Sequence, residues 1–142
     1  MESDKETLIQ LVAKSYEDAS AEFIQEAIKQ KALPYFEQLG RWWDKNTEID
    51  LVGLNKTDNS ILFVETKWNT KPLGADVLED LKRKAQKVEW GRPGRKEYFA
   101  LITKAGFEKK LMERSKSEGV VLIKEDHMYS SSTKTVQVEI HR

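Results

Sequence analysis

With 142 residues, 39% of them hydrophobic and 34% charged, the chain has the size and composition of one globular domain and is too apolar for a disordered one. Lys plus Arg and Asp plus Glu cancel at 24 each, so net charge selects no partner, and the absence of cysteine excludes disulfides and thiolate metal sites. No apolar run reaches the ~18 residues of a membrane span, "MESDKETLIQ" lacks a signal-peptide pattern, and no GxxxxGK[ST] phosphate loop is present. These bounds lead us to expect a single domain over 1–142, cytoplasmic, with no membrane partner.

In chain order the elements read as mixed α/β. Leu8, Leu11, Val12, Ala19, Phe23, Ala27 and Ile28 recur at helical spacing, which predicts helix over 5–32, with a break at "SYEDAS" and an end at Pro34. "YFEQLGRWW" is strand-like. Residues 47–54 and 60–68 form the arms of a hairpin whose turn signals lie in "NKTDNS". Leu78, Leu81, Ala85 and Val88 share one stripe of a helix over 75–90, closed by "GRPG". "EYFALIT" is a continuous apolar run, as expected of a strand covered on both faces. A short helix from Phe107, a strand "VVLIKE" and an edge-like strand "TVQVEIH" complete the chain. Strands alternating with helices in the second half imply parallel pairing, with helices packed on the sheet.

Charge is unevenly spread. Residues 1–50 carry 6 basic and 11 acidic side chains, residues 51–142 carry 18 and 13, and residues 82–116 alone hold 12 basic against four acidic. That cationic segment is either a phosphate-binding face or a solvated helix surface.

The hairpin places charges inside apolar strands, where burial without a partner is costly. A turn centred between Thr57 and Asp58 pairs positions whose numbers sum to 115. Asp50 then opposes Glu65 and Glu48 opposes Lys67, all on one face, while Ile49, Leu51, Val64 and Thr66 take the other. A one-residue bulge would slip this register. Opposed carboxylates repel at such range. They are reconciled by a shared proton or by a divalent cation, and hard oxygen ligands suit Mg²⁺ or Mn²⁺. A solvated face with a Glu48–Lys67 ion pair is the plain alternative.

Asp50, followed after "ILFV" by Glu65-Thr66-Lys67, resembles the PD-(D/E)XK nuclease superfamily. "GRWWDKNTEIDLVGLN", "ILFVETKW", "VLEDLKRKA" and "KEYFALITKAGF" resemble more closely its nuclease-like branch at the C-terminus of archaeal P-loop ATPases, over roughly residues 17–126. The resemblance implies an α/β, restriction-endonuclease-like fold, a central mixed sheet flanked by helices. It implies DNA as substrate, Mg²⁺ or Mn²⁺ as cofactor, Asp50 and Glu65 as metal-binding acids and Lys67 as the catalytic lysine. Glu22 of the first helix is the candidate additional acid, with Glu26 its competitor, and Glu48 would stand behind the site, pairing with Lys67 or Lys82. Ile49 occupies the position of the superfamily's proline. Partners implied are DNA, a P-loop ATPase module and a second copy of the chain. The alternative is a nuclease-shaped module that binds DNA or a protein, or regulates an ATPase, without turnover.

Lys82, Lys84 and Lys87 of the second helix are expected to hold backbone phosphates, and Lys104 in "TKAGF" to reach a phosphate from the end of a central strand. Trp42 and Trp43 must face opposite ways on a strand, one to the core and the other either packed or stacked on a base, packing being the favoured reading because large aromatics dominate cores. Trp68 and Trp90 are expected to pack in the core or at its rim. His127 and His141 have no ligand-spaced neighbours and are expected to be structural.

Overall fold

The protein is described by a computed structural model over residues 9–11, 19–68, 70–124, 127–129 and 135–137. Its elements are β1 (Ile9–Leu11), α1 (Ala19–Lys29), β2 (Gln38–Trp43), β3 (Glu48–Asn55), β4 (Ser60–Lys67), α2 (Ala75–Ala85), β5 (Lys96–Thr103), α3 (Lys109–Glu118), β6 (Val121–Lys124), β7 (His127–Tyr129) and β8 (Thr135–Gln137). All the strands join one sheet, laid side by side in chain order. Pairing is antiparallel throughout except β4–β5 and β5–β6, which are parallel. The expected mixed sheet flanked by helices is therefore found.

The two parallel steps are bridged by α2 and α3. Right-handed crossovers that advance in one direction leave their helices on the same face. Accordingly, α2 and α3 share one core with Ile61, Phe63, Leu101 and Leu122, while α1 covers the other face over Leu62, Val64, Ala100 and Ile102. β4 and β5 lie between both layers, which explains their unbroken apolar runs. Residues 61–64 are completely buried, and each such side chain contributes about 1.5–3 kcal/mol by leaving water.

Helix α2 forms because Leu78, Leu81 and Ala85 give it a buried stripe, with Asp76 in its first turn and Lys82, Arg83 and Lys84 in its last complementing the dipole. It stops at Ala85, earlier than the expected 90. The guanidinium of Arg95 donates to the carbonyls of Ala85 (3.1 Å), Val88 (2.7 Å) and Trp90 (2.8 Å), fixing the chain as it leaves the helix. Helix α3 ends at Gly119, whose φ of 73° lies in the left-handed region that glycine adopts without strain. Gly53 in β3 serves close approach instead, since a Cβ there would stand 3.1 Å from the Phe36 ring.

Two expectations are corrected. Among the described residues, the helix placed over 5–32 is a strand at Ile9–Leu11 and a helix at Ala19–Lys29; 5–8 and 12–18 lie outside them. "LIQLV" is a short apolar run whose period does not separate helix from strand, and pairing with β2 decides for strand. Strand β7 was not expected. The tail strand is present at Thr135–Gln137, and its continuation lies outside the described residues.

Candidate functional site

The hairpin follows the derived register from Leu51↔Val64 to Asn55↔Ser60. Beyond Leu51 the ladder stops, and β3 and β4 fork. The cause lies on the other side of β3: Gly40 pairs with Val52 but Trp42 pairs with Ile49, so Asp50 and Leu51 together oppose Arg41 in a β-bulge. The extra residue reverses the alternation. Ile49 packs in the α2–α3 core and not beside Leu51, contrary to the face assigned to it by strict period two.

Into the fork turns the Asp50 carboxylate, whose Oδ2 accepts the backbone N–H of Thr66 at 3.1 Å, standing in for a ladder bond. Thr66 is itself pinned to α1 by a 2.6 Å hydrogen bond between its hydroxyl and that of Ser20. The neighbouring Glu65 points to the α2 face. It is only 6% exposed, and its two oxygens are taken by two ammonium groups, Oε1 by Lys84 at 3.3 Å and Oε2 by Lys67 at 3.5 Å. Burial raises the Glu65 pKa above the ordinary carboxylate value, repulsion from Asp50 adds to that, and Lys84 and Lys67 only partly offset it. The β4–β5 register sets Lys67 beside Thr103, the last residue of β5.

Asp50, Glu65 and Lys67 thus meet at one end of the sheet, and Lys84 joins them from α2. Its place beside Glu65 departs from the phosphate contact expected of it, though the helix period held the signal: Lys84 follows Leu81 by three and precedes Val88 by four, on the buried stripe. The other expected phosphate contacts are dispersed. Lys82 turns to Glu118 of α3, Lys87 reaches the Thr47 hydroxyl at 3.0 Å, and Lys104 is exposed just beyond β5. Lys87 lines an open concavity of about 300 Å³ with Asn46, Thr47, Glu48, Asp80, Arg83 and Lys84. Glu48 pairs with Arg41 at 3.4 Å, not with Lys67 or Lys82, because the bulge carries the start of β3 towards β2.

Glu22 and Glu26 both lie on α1, against the opposite core from Glu65; one oxygen of Glu22 is buried and Glu26 accepts from Gln30 at 2.9 Å. Among the described residues no three acidic or imidazole side chains converge as a metal-binding cluster. Trp42 is core and Trp43 is exposed, as alternation requires, but Trp68 is 46% exposed and does not pack in the core. The side chain of His127 and the whole of His141 lie outside the described residues.

The chain has relatives among known sequences. An uncharacterized protein of Methanocaldococcus jannaschii, MJECL04, is 38% identical over 92 residues, 63% of this chain and 20% of that protein, so the chain spans about one fifth of that relative's length. The crystal structure of a repair endonuclease from Pyrococcus abyssi superposes with a TM-score of 0.45 and 15% identity, over 79% of this chain and 48% of that one. The family model described as "Archaea bacterial proteins of unknown function" matches residues 1–88, a span that holds Asp50, Glu65, Lys67 and Lys84 together. The chain belongs to that family, DUF234.

Proposed function

We propose that the domain hydrolyses DNA phosphodiester bonds with Mg²⁺ or Mn²⁺, at the fork between β3 and β4. One observation carries this reading: a buried carboxylate, Glu65, lies beside a second one, Asp50, and burial first and Asp50 second disfavour its charged form, which its two lysines offset only in part. Such a pair suits a small divalent cation, which takes one or two carboxylates and completes its shell with waters and substrate phosphate oxygens. Asp50 and Glu65 would hold the ion, which when bound supplies Lewis-acid polarisation of the scissile phosphate.

The chain's own groups do the rest. Thr66 N–H fixes the rotamer of Asp50, and Lys84 orients Glu65 through Oε1. Lys67, with 43% of its side chain exposed, keeps donors available for the attacking water or for charge developing on the phosphate. Glu22 is the proposed additional acid, with Glu26 the competing choice, while Arg83 and Lys87 would hold flanking phosphates on the open face of α2. As further proposals, the domain is an accessory module acting with a P-loop ATPase, in the cytoplasm and as a homodimer; a match to one fifth of a longer relative fits a modular role.

One observation favours a second reading, a DNA- or protein-binding module without turnover: both Glu65 oxygens already face ammonium groups, an arrangement that is also a finished ion-pair network. Purified protein with plasmid and oligonucleotide DNA separates the two. Cleavage is expected in Mn²⁺, less in Mg²⁺, none with chelator, and none in Lys67→Ala. Calorimetry should show Mn²⁺ binding that Glu65→Gln abolishes. Cleavage surviving in both Asp50→Asn and Glu65→Gln would be contamination, and absence of metal binding with DNA present would leave the binding module.

A further inference from the structure

Among the described residues three large hydrophobic side chains are exposed: Tyr35 at 64%, Trp43 at 39% and Trp68 at 46%. The two tryptophans stand at the same end of the sheet as Asp50 and Glu65. Trp43 closes β2, and its Cα partner is Glu48, two residues before Asp50; Trp68 follows Lys67 directly. Tryptophan rings are ordinarily drawn into cores, and β2 has already committed one there, since Trp42 is 3% exposed. Packing therefore accounts for the first tryptophan and leaves the other two unexplained.

From these positions we infer that Trp43 and Trp68 are stacking platforms for unpaired bases, and that the site takes single-stranded DNA or a single-stranded segment of a branched one. The inference rests on the proposed hydrolysis only for the position of the scissile phosphate. Trp43 ends β2 and Trp68 follows β4, so the two residues stand at the chain's exits from the strands on either side of β3. In a duplex the base faces are covered by neighbouring bases, so free indole rings gain nothing from it; in a single strand each base has a free face. Beside Trp43 lies an open concavity of about 280 Å³ lined by Arg41, Trp42, Trp43 and Glu48, below the ~300–1,000 Å³ of sites that enclose a whole ligand. Arg41 supplies a cation within it, paired with Glu48 at 3.4 Å, and Glu48 also lines the cleft that holds Arg83 and Lys87.

The test is binding to a fluorescein-labelled dT oligonucleotide and to a duplex of equal length, by anisotropy, in chelator so that no cleavage intervenes. Base stacking is worth ~1–3 kcal/mol per base, so Trp43→Ala and Trp68→Ala should each weaken single-strand binding by about 5- to 150-fold. Duplex affinity should change less than about twofold, and Trp→Phe at either position should restore most of the loss. Equal losses for single strand and duplex, or no loss for either, would overturn the inference. If the protein cleaves DNA but the tryptophan variants bind like wild type, this inference fails and the hydrolysis stands. If it never cleaves but shows the single-strand selectivity, the hydrolysis fails and this stands.

Discussion

Removing the Arg95 side chain should unfold the exit of α2, at a cost large enough to measure cleanly. Its guanidinium makes three hydrogen bonds to main-chain carbonyls between 2.7 and 3.1 Å, pairs with Glu97 at 2.9 Å, and lies 5.6 Å from the centroid of the Phe63 ring. Only 13% of the side chain is exposed. A hydrogen bond to a charged group contributes ~1.5–3 kcal/mol, so three would sum to ~4.5–9 kcal/mol if independent. They are not independent, and carbonyls at a helix end regain water when the donor leaves. We therefore expect Arg95→Ala to cost about 3–5 kcal/mol, a large part of the ~5–15 kcal/mol that holds a domain folded. For a chain of this length that corresponds to a fall in Tm of roughly 10–15 °C. Urea titration gives the free energy directly. Arg95→Met, which keeps an apolar stem but loses the guanidinium with its donors, its pairing with Glu97 and its place by the Phe63 ring, should recover less than half of the loss. A change below ~1 kcal/mol in Arg95→Ala would refute this role for Arg95.

Glu65→Gln should stabilise the protein in chelator at pH 7.5, because the raised pKa means that charging Glu65 in the folded state is unfavourable. The wild-type penalty is fully present above the folded pKa and is lost as pH falls towards the unfolded value, so the gap between variant and wild type should close in urea titrations at pH 4.5; a gap that widens on acidification would reverse the sign. In DNA-binding isotherms taken across salt, Lys87→Ala should flatten the slope by about one counterion, whereas Lys82→Ala, whose ammonium is engaged by Glu118, should leave it unchanged.

The hairpin shows what a sequence can and cannot disclose. Turn residues and period two were enough to place Leu51 against Val64 and to bring Asp50 and Glu65 to one region, because both are local rules. The bulge opposite Arg41 was illegible: it arises from pairing with β2, and nothing in "NTEIDLV" marks an extra residue. Its consequences, Glu48 leaving for Arg41 and Ile49 changing faces, were therefore missed. The partners of the cationic segment were illegible for a related reason. Composition counts charges without saying which are already engaged, and Lys82, Lys84 and Arg95 each found partners on a different element. Strand β1 was misread because three residues are too few to show a period.

Leu73, between β4 and α2, is bridged to Phe107, between β5 and α3; Leu73 N–H donates to Gly106 at 2.9 Å, and Glu108 N–H donates to Leu73 at 2.8 Å. Two crossover loops at the business end of the sheet are thereby clasped like the halves of a buckle. A loop tied by main-chain bonds to its neighbour cannot lengthen or swing by itself, so an insertion after Trp68 would be felt at Lys104. A variant that reshapes this end would have to alter both loops together, or leave the clasp alone and vary the turn between β2 and β3, whose main-chain bond, from Asp44 N–H to Thr47 at 2.8 Å, is internal to it.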